Sequence, residues 1–404
     1  MMLRSSLLFA LSATTSATNL FVSSYSGNIT SLSLTESNGT VSLESTFFSS
    51  DCGPNPSWLT IDASRGLLFC LNEGLTAPNG SLSSFTVNRD GSLNHVKNET
   101  TISGPVSGVI YGNPAGRRAI ALAHYTGSSV SSYYLDGGGQ FHLSESFTYS
   151  LSQPGPDAAR QDSPHPHEAF TDPTGQYLLV PDLGADLVRV YGIDAETLNL
   201  TELAPLEAPA GSGPRHAAFY NPYNVASEGA TTFLHLATEL AGTIISYSVT
   251  YLPNGGGLNF TQVAEVSALW LLTHDRINAP AGVLISPDNR FLIVSNRNST
   301  LFSLPNPDTT NSTQIPADTL TTFELQHDGS LVFVQAWPSG GLYPRQFSIN
   351  PSGTLIAVGN QLSANVALLS RNPATGLIGE PLARIPVDGN ITCVVFDQEG
   401  AGSA

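Results

Sequence analysis

The sequence predicts an all-β fold: a seven-bladed β-propeller of four-stranded blades, with the closing blade shared by the N- and C-termini. Three observations carry this prediction. Six stretches repeat one pattern of proline, short apolar run, turn, second apolar run and polar residues, starting at Pro56, Pro105, Pro166, Pro214, Pro280 and Pro344. Their spacings of 49, 61, 48, 66 and 64 residues suit a repeat built only of strands. Glycine (37) and proline (27) are abundant and long amphipathic helical patterns are absent, as a turn-rich β chain requires.

The leader, MMLRSSLLFALSATTSATNLF, has a positive start at Arg4, a short apolar run from Leu7 to Leu11 and small residues up to Ala17. Residues 1–17 read as a secretory signal peptide, leaving 18–404 as a single propeller domain. NLFVSSYSGNITSLSLTESNGTVSLES (19–45) supplies three strands of a split blade. The six proline-led repeats follow, each with two further strands, clearest in VRVYGIDAETLNLTEL and VALLSRNPATGLIGEPLARI. ITCVVFDQEG (391–400) provides the missing first strand of the split blade, and joining the ends removes the exposed edges of an open sheet.

The composition excludes some functions. A net charge of −17 argues against nucleic acid or an anionic membrane surface as partner. After the leader no segment approaches the roughly 18 consecutive apolar residues of a membrane span. Nine N-x-S/T sequons occur, at Asn28, Asn38, Asn79, Asn98, Asn199, Asn259, Asn298, Asn311 and Asn390. Chance would give roughly half as many, so leader and sequons together predict a secreted, N-glycosylated, extracellular or cell-wall protein. Asn79, Asn98 and Asn259 fall in expected loops and should be the most accessible, and Asn390, beside an inner strand, the least. Of Cys52, Cys70 and Cys393, one pair could bridge in an oxidising compartment, and the pairing stays open. Cys70 and Cys393 lie in apolar strands and read as buried packing.

The propeller also locates a site. The first strand of each blade lines the central channel and the second runs back antiparallel. Residues just after the prolines and residues closing the second strands therefore meet on one face. This ring includes His167, Arg215 and Arg345 from strand starts. Glu73, Asp182, Glu239, Arg297 and Gln361 come from strand ends. His167 offers general acid–base chemistry near neutral pH, and arginines offer planar forks for carboxylates. A cationic ring in an acidic chain predicts a small anionic or lactone ligand. His165, His167 and His216 have weak metal-ligand spacing with Pro166 intervening, so no metal is expected. No G-x-S-x-G, P-loop or dinucleotide motif calls for a cofactor.

Pro166-His167, DPTG, VPDLGAD, GPRH ahead of Glu239, SPDNRFLIVSNR and YPRQFSINPSG resemble the seven-bladed lactonase family. That family includes bacterial 6-phosphogluconolactonases, a fungal carboxy-cis,cis-muconate lactonising cycloisomerase and secreted fungal glycoproteins. The resemblance implies catalytic roles for His167, Arg215 and Glu239, with a further arginine at Arg297 or Arg345. It implies a hydrolase or cycloisomerase that opens or closes a lactone ring, in which His167 or Glu239 activates water and arginine stabilises the oxyanion. The alternative it leaves is a secreted, non-catalytic binding or adhesion propeller. The chain departs from many members at Gly282, where they carry an acidic residue.

Overall fold

The computed structural model describes residues 18–37, 40–223, 230–270, 278–306 and 310–398. The leader and Asn38 lie outside the described residues. Among these residues stand seven four-stranded antiparallel sheets, with no α-helix and two short 3-10 turns. Among the described residues, no helical segment is long and apolar enough to cross a membrane.

Blade 1 is the closing blade. Its inner strand, Ile391–Phe396, pairs with Thr18–Ser24, placing Leu20 opposite Phe396 and Phe21 opposite Val395. Six inner strands follow for blades 2 to 7: Pro56–Asp62, Pro105–Gly112, Phe170–Thr171, Pro214–Tyr220, Ala279–Ile285 and Pro344–Ile349. Each blade shows apolar residues on both faces of its inner and second strands, because both faces meet a neighbouring blade. Val180, Leu234, Ile293 and Val358 are completely buried in this way. Outer strands such as Leu93–Thr101 are exposed or half-exposed along their length and buried only at the ends, Leu93 and Thr101.

The repeated proline marks a β-bulge. In blades 2, 3, 5, 6 and 7 the register shifts just after it: Pro56 faces Asn72, but Trp58 faces Leu71. Blade 1 shifts at the equivalent Thr392. Proline lacks the N–H that a central strand must donate, so it suits the start of an innermost edge strand. The extra residue of the bulge leaves the ladder and its side chain is re-aimed. His167, Arg215 and Arg345 all occupy that position. In blade 4 the ladder breaks further than the sequence suggested. Pro166 makes a lone bridge to Asp182, and only Phe170–Thr171 forms a strand.

Additions to the basic blade gather on the face where inner strands begin. They include the connection from Tyr149 to Ala169 and a hairpin, Phe302–Pro305 with Gln314–Ala317, inserted in blade 6. The sequence did not predict that hairpin. Cys52 and Cys70 form a disulfide and Cys393 is a free buried thiol. Cys70 is therefore a bridge residue, not inert packing. The bridge settles the pairing by bringing the segment before Pro56 onto the second strand of blade 2.

The sequons divide differently from the expectation. Asn79 is exposed in a loop, whereas Asn98 and Asn259 are exposed on outer edge strands. Asn390 is exposed too, because it sits in the turn before the inner strand rather than within it. Asn199, Asn298 and Asn311 are exposed, and Asn28 is only half-exposed.

Candidate active site

The bulge side chains and the second-strand ends meet at the channel mouth in two charged clusters. The first is centred on Glu239, 4% exposed. Its Oε2 lies 2.6 Å from Nη2 of Arg297 and 2.9 Å from Nε of Arg215, and its Oε1 accepts from Nη2 of Arg160 at 2.7 Å. The Arg215 approach lacks the alignment of a hydrogen bond. Arg297 also donates to the carbonyls of Ala279 and Pro280 and sits over the Tyr343 ring at 5.1 Å. The second cluster joins Arg345, Tyr25 and Glu73. Nη1 of Arg345 donates to Tyr25 Oη at 2.7 Å, Tyr25 donates to Glu73, and Nη2 of Arg345 stands 3.9 Å from Glu73.

The site's floor is aromatic. The His167 ring meets His216 edge-on at 5.4 Å and Tyr125 at 5.6 Å. His216 reaches the Trp58 ring of blade 2, at 5.9 Å. Blades 2 and 5 lie on opposite sides of the ring, so this contact spans the channel.

The charges shape one another. Burial alone would raise the Glu239 carboxyl, but Arg297, Arg215 and Arg160 outweigh it and hold the group well below the usual carboxylate range. Glu239 is thus a fixed anion that positions guanidiniums. It cannot serve as the base that the sequence reading allowed. Arg215 is pulled down to about 9, first by burial and then by Arg297 and Arg345, against the attraction of Glu239. Burial, then Arg215, Arg345 and Arg297, keep His167 well below its ordinary value. It is a neutral imidazole at pH 7, not the titrating group that its residue type suggested. Burial lifts Tyr25 to about 12, so it stays a neutral donor. Among the described residues, no hydrogen-bond partner meets Nδ1 of His167 or Nη1 of Arg215.

Five of the predicted residues, His167, Arg215, Glu239, Arg297 and Arg345, thus line one mouth, with Glu73 behind Arg345. Both arginines left open by the resemblance stand at the mouth: Arg297 shares Glu239 with Arg215, and Arg345 belongs to the second cluster. Gln361 is buried beside Tyr343, to whose carbonyl its main-chain N–H donates. Asp182 is a correction. It is completely buried, its Oδ1 accepting from the N–H groups of His165 and Ala185 and its Oδ2 held by Arg189 at 2.8 and 2.9 Å. It braces the chain entering His167 and has no lone pair facing a ligand. His165 stacks on Tyr125 at 4.1 Å, the ring that His167 meets edge-on, and its ring nitrogens are taken up by the Tyr125 carbonyl and Asp162. The described residues hold no group of three metal-ligating side chains. At Gly282 a Cβ would lie 3.1 Å from Phe347 and 3.3 Å from Ser295, whose hydroxyl accepts from the Gly282 N–H. Packing from blade 7 therefore fills the space an acidic side chain would take.

Arg160, Tyr25, Tyr343, His216 and Glu168 also lie at the mouth; none was named as a substrate contact, and His216 was weighed only as a metal ligand. Tyr25 carried a signal. Ser24 occupies in blade 1 the strand-end position that Asn72 occupies in blade 2, so Tyr25 corresponds to Glu73. Arg160 comes from a loop with no periodicity and carried none.

A family model described as "Lactonase, 7-bladed beta-propeller" matches residues 15–396. A protein of Arthroderma benhamiae named as a probable 6-phosphogluconolactonase is 29% identical over 324 residues, covering 80% of this chain and 75% of its own. The 6-phosphogluconolactonase of Formosa agariphila is 25% identical over 347 residues, covering 85% and 88%. Among solved structures, the periplasmic gluconolactonase of Pseudomonas aeruginosa superposes with a TM-score of 0.74 at 26% identity, covering 94% of this chain and 99% of that one. With seven blades closed by both termini and a family match from end to end of the propeller, the chain belongs to the seven-bladed β-propeller lactonase family.

Proposed function

We propose that this protein is a lactone hydrolase that takes a small anionic lactone at the channel mouth. The observation that carries this reading is the charge of the mouth. Four guanidiniums, of Arg160, Arg215, Arg297 and Arg345, face two carboxylates, Glu239 and Glu73, in a chain whose net charge is −17. Arg215, Arg297 and Arg345 are largely buried while Arg160 is 42% exposed, and the buried part of this excess positive charge attracts an anion more strongly than in water. The names of the relatives, lactonases of phosphorylated or free sugar acids, agree with it.

Neutral His167 takes a proton from water through Nδ1 as the oxygen attacks the lactone carbonyl. Arg215, with Nη1 free, donates to the oxygen on which negative charge develops; such a donor is worth about 10²–10³ in turnover. The proton then passes from His167 to the ring oxygen as the C–O bond breaks, leaving a hydroxy acid. An anionic ligand offsets the arginines that depress His167 and so raises its basicity when substrate is bound. Glu239 and Arg160 hold the forks of Arg215 and Arg297 in place throughout.

The same reading makes the protein secreted and N-glycosylated. A disulfide between two completely buried cysteines suits an oxidising compartment, as do the leader and the exposed sequons. Loss of mass on glycosidase treatment of the native-host protein tests that part. The function is tested by hydrolysis rates on matched phosphorylated, carboxylated and neutral lactones. Anionic lactones should be preferred at least tenfold. Equal rates on the neutral lactone would overturn the substrate class, and no hydrolysis above background would overturn the activity in favour of a binding role.

A further inference from the structure

Glu168 is a carboxylate of the mouth that no arginine reaches. Among the described residues, the only charged or titratable side chain within ion-pair distance of it is His216. The side chain is 12% exposed and crosses the boundary between blades 4 and 5. Its Oε2 accepts from the main-chain N–H of Ala217 at 2.7 Å, and its Oε1 lies 3.3 Å from Nδ1 of His216. The other side of the His216 ring faces the floor, against His167 and Trp58.

A buried carboxyl without a cation is more stable as the neutral acid. Burial lifts Glu168 to about 8, while the Ala217 N–H and the charge of Arg215 pull the other way. His216 is held neutral, first by burial and then by Arg215, His167, Arg297 and Arg345. At pH 7 the pair is therefore a neutral acid beside a neutral imidazole. The 3.3 Å approach is not aligned as a hydrogen bond, but it is close enough that two protons or two lone pairs facing each other would be costly; with the carboxyl neutral, the favoured arrangement turns the O–H toward Nδ1 and leaves the imidazole proton on Nε2. When the carboxyl ionises, Oε1 becomes an acceptor, Nδ1 carries the proton and Nε2 is left as a lone pair.

We propose that Glu168 is a positioning residue whose protonation sets the tautomer of His216, and so whether the floor of the mouth presents an N–H or a lone pair at Nε2. The tautomer switch rests on the closeness of Glu168 to His216 and does not depend on the reaction. Its consequence for turnover rests on the lactonase reading above.

The test is ¹⁵N NMR of the full chain labelled at histidine, from pH 6 to 10, with the His216 signals assigned by their loss in His216→Gln. Wild type should show Nε2–H at pH 6–7 and exchange to Nδ1–H around pH 8. In Glu168→Gln the amide oxygen accepts from Ala217 and the NH₂ donates to Nδ1, so Nε2–H should persist to pH 10. A His216 tautomer that does not change with pH in wild type, or that changes equally in Glu168→Gln, overturns the proposal. If that variant does not fold, the wild-type titration decides, together with the ¹³C shift of the Glu168 carboxyl over the same range. With a hydrolysed anionic lactone, kcat of wild type should inflect near pH 8, ahead of the fall expected in both proteins as Arg215 loses its proton near 9, and Glu168→Gln should lack the earlier inflection, at similar KM. A tautomer switch without the inflection removes the catalytic consequence and leaves the lactonase reading standing. Absence of any lactone hydrolysis removes that reading, while the NMR result still decides the role of Glu168 in the resting protein.

Discussion

Replacing Arg215 by methionine separates a functional arginine from one that stitches blades together. Arg215 is completely buried, and its guanidinium is pulled from 12.5 to about 9 even with Glu239 beside it. The site therefore disfavours the charge it holds. At 1.36 kcal/mol per pH unit of displacement, that strain is about 3–5 kcal/mol. Arginine is a base whose folded value lies below its unfolded value. Its charge thus destabilises the fold at every pH below about 9, and the penalty fades only as pH rises from there toward 12.5. Methionine keeps the unbranched bulk and removes the charge. Glu239 keeps Arg297 and Arg160, so no carboxylate is stranded. The lost ion pair with Glu239 and the lost packing offset about 1–3 kcal/mol. A chain of this length unfolds with an entropy near ~0.8 kcal/mol per kelvin, so Arg215→Met should melt between ~0 and 5 °C above wild type. Turnover on an anionic lactone should fall by about 10²–10³. Calorimetry and initial rates on the same preparations at pH 7 decide the matter. A folded variant that melts several degrees early and keeps wild-type turnover per molecule would refute the argument.

Other substitutions probe the same charges. Glu239→Gln leaves Arg215 and Arg297 buried without their anion, at a cost of about 3–5 kcal/mol. Melting should drop by roughly 4–6 °C at pH 7. Because Glu239 is held well below its ordinary 4.5, its contribution is complete above that pH and is lost as pH falls beneath it, so the gap should narrow only in acid. An unchanged melting temperature at pH 7 would show that Glu239 is not the hub. His167→Gln should lower kcat by about 10²–10⁴ yet leave the pH profile of kcat/KM, which reports the free enzyme, unaltered between 6 and 7, because His167 is already neutral there. Disappearance of an inflection near pH 6.5 would contradict the effect of burial and the three arginines. Cys52→Ala with Cys70→Ala opens a bridge spanning 18 residues and should cost about 3 kcal/mol, read as a fall of about 4 °C in melting temperature. Equal melting temperatures would mean that the loop before Pro56 is held by packing alone.

The sequence by itself determined the repeat. A proline ahead of an apolar run, six times over, with a lone strand at one end and three at the other, is legible because strand periodicity and proline's missing N–H act locally. It also placed His167, Arg215, Glu239, Arg297 and Arg345 on one face, since antiparallel strands bring starts and ends together whatever the detail. Even the bulge left a trace, in the constant position of the residue after each proline.

What only the tertiary structure decided is the state of those groups. The same residue type serves different ends according to its neighbours. Glu239, among three arginines, is a fixed anion, and Glu168, reached by none among the described residues, is a neutral acid at pH 7. Asp182 looked like a ligand contact from its strand-end position and is instead consumed by Arg189 and two main-chain N–H groups. Arg160 and the His216–Trp58 contact join residues from distant blades through loops and across the channel, with no spacing to betray them. Burial and long-range charge set protonation here, and both are sums over the whole ring, so they exist only once the ring has closed.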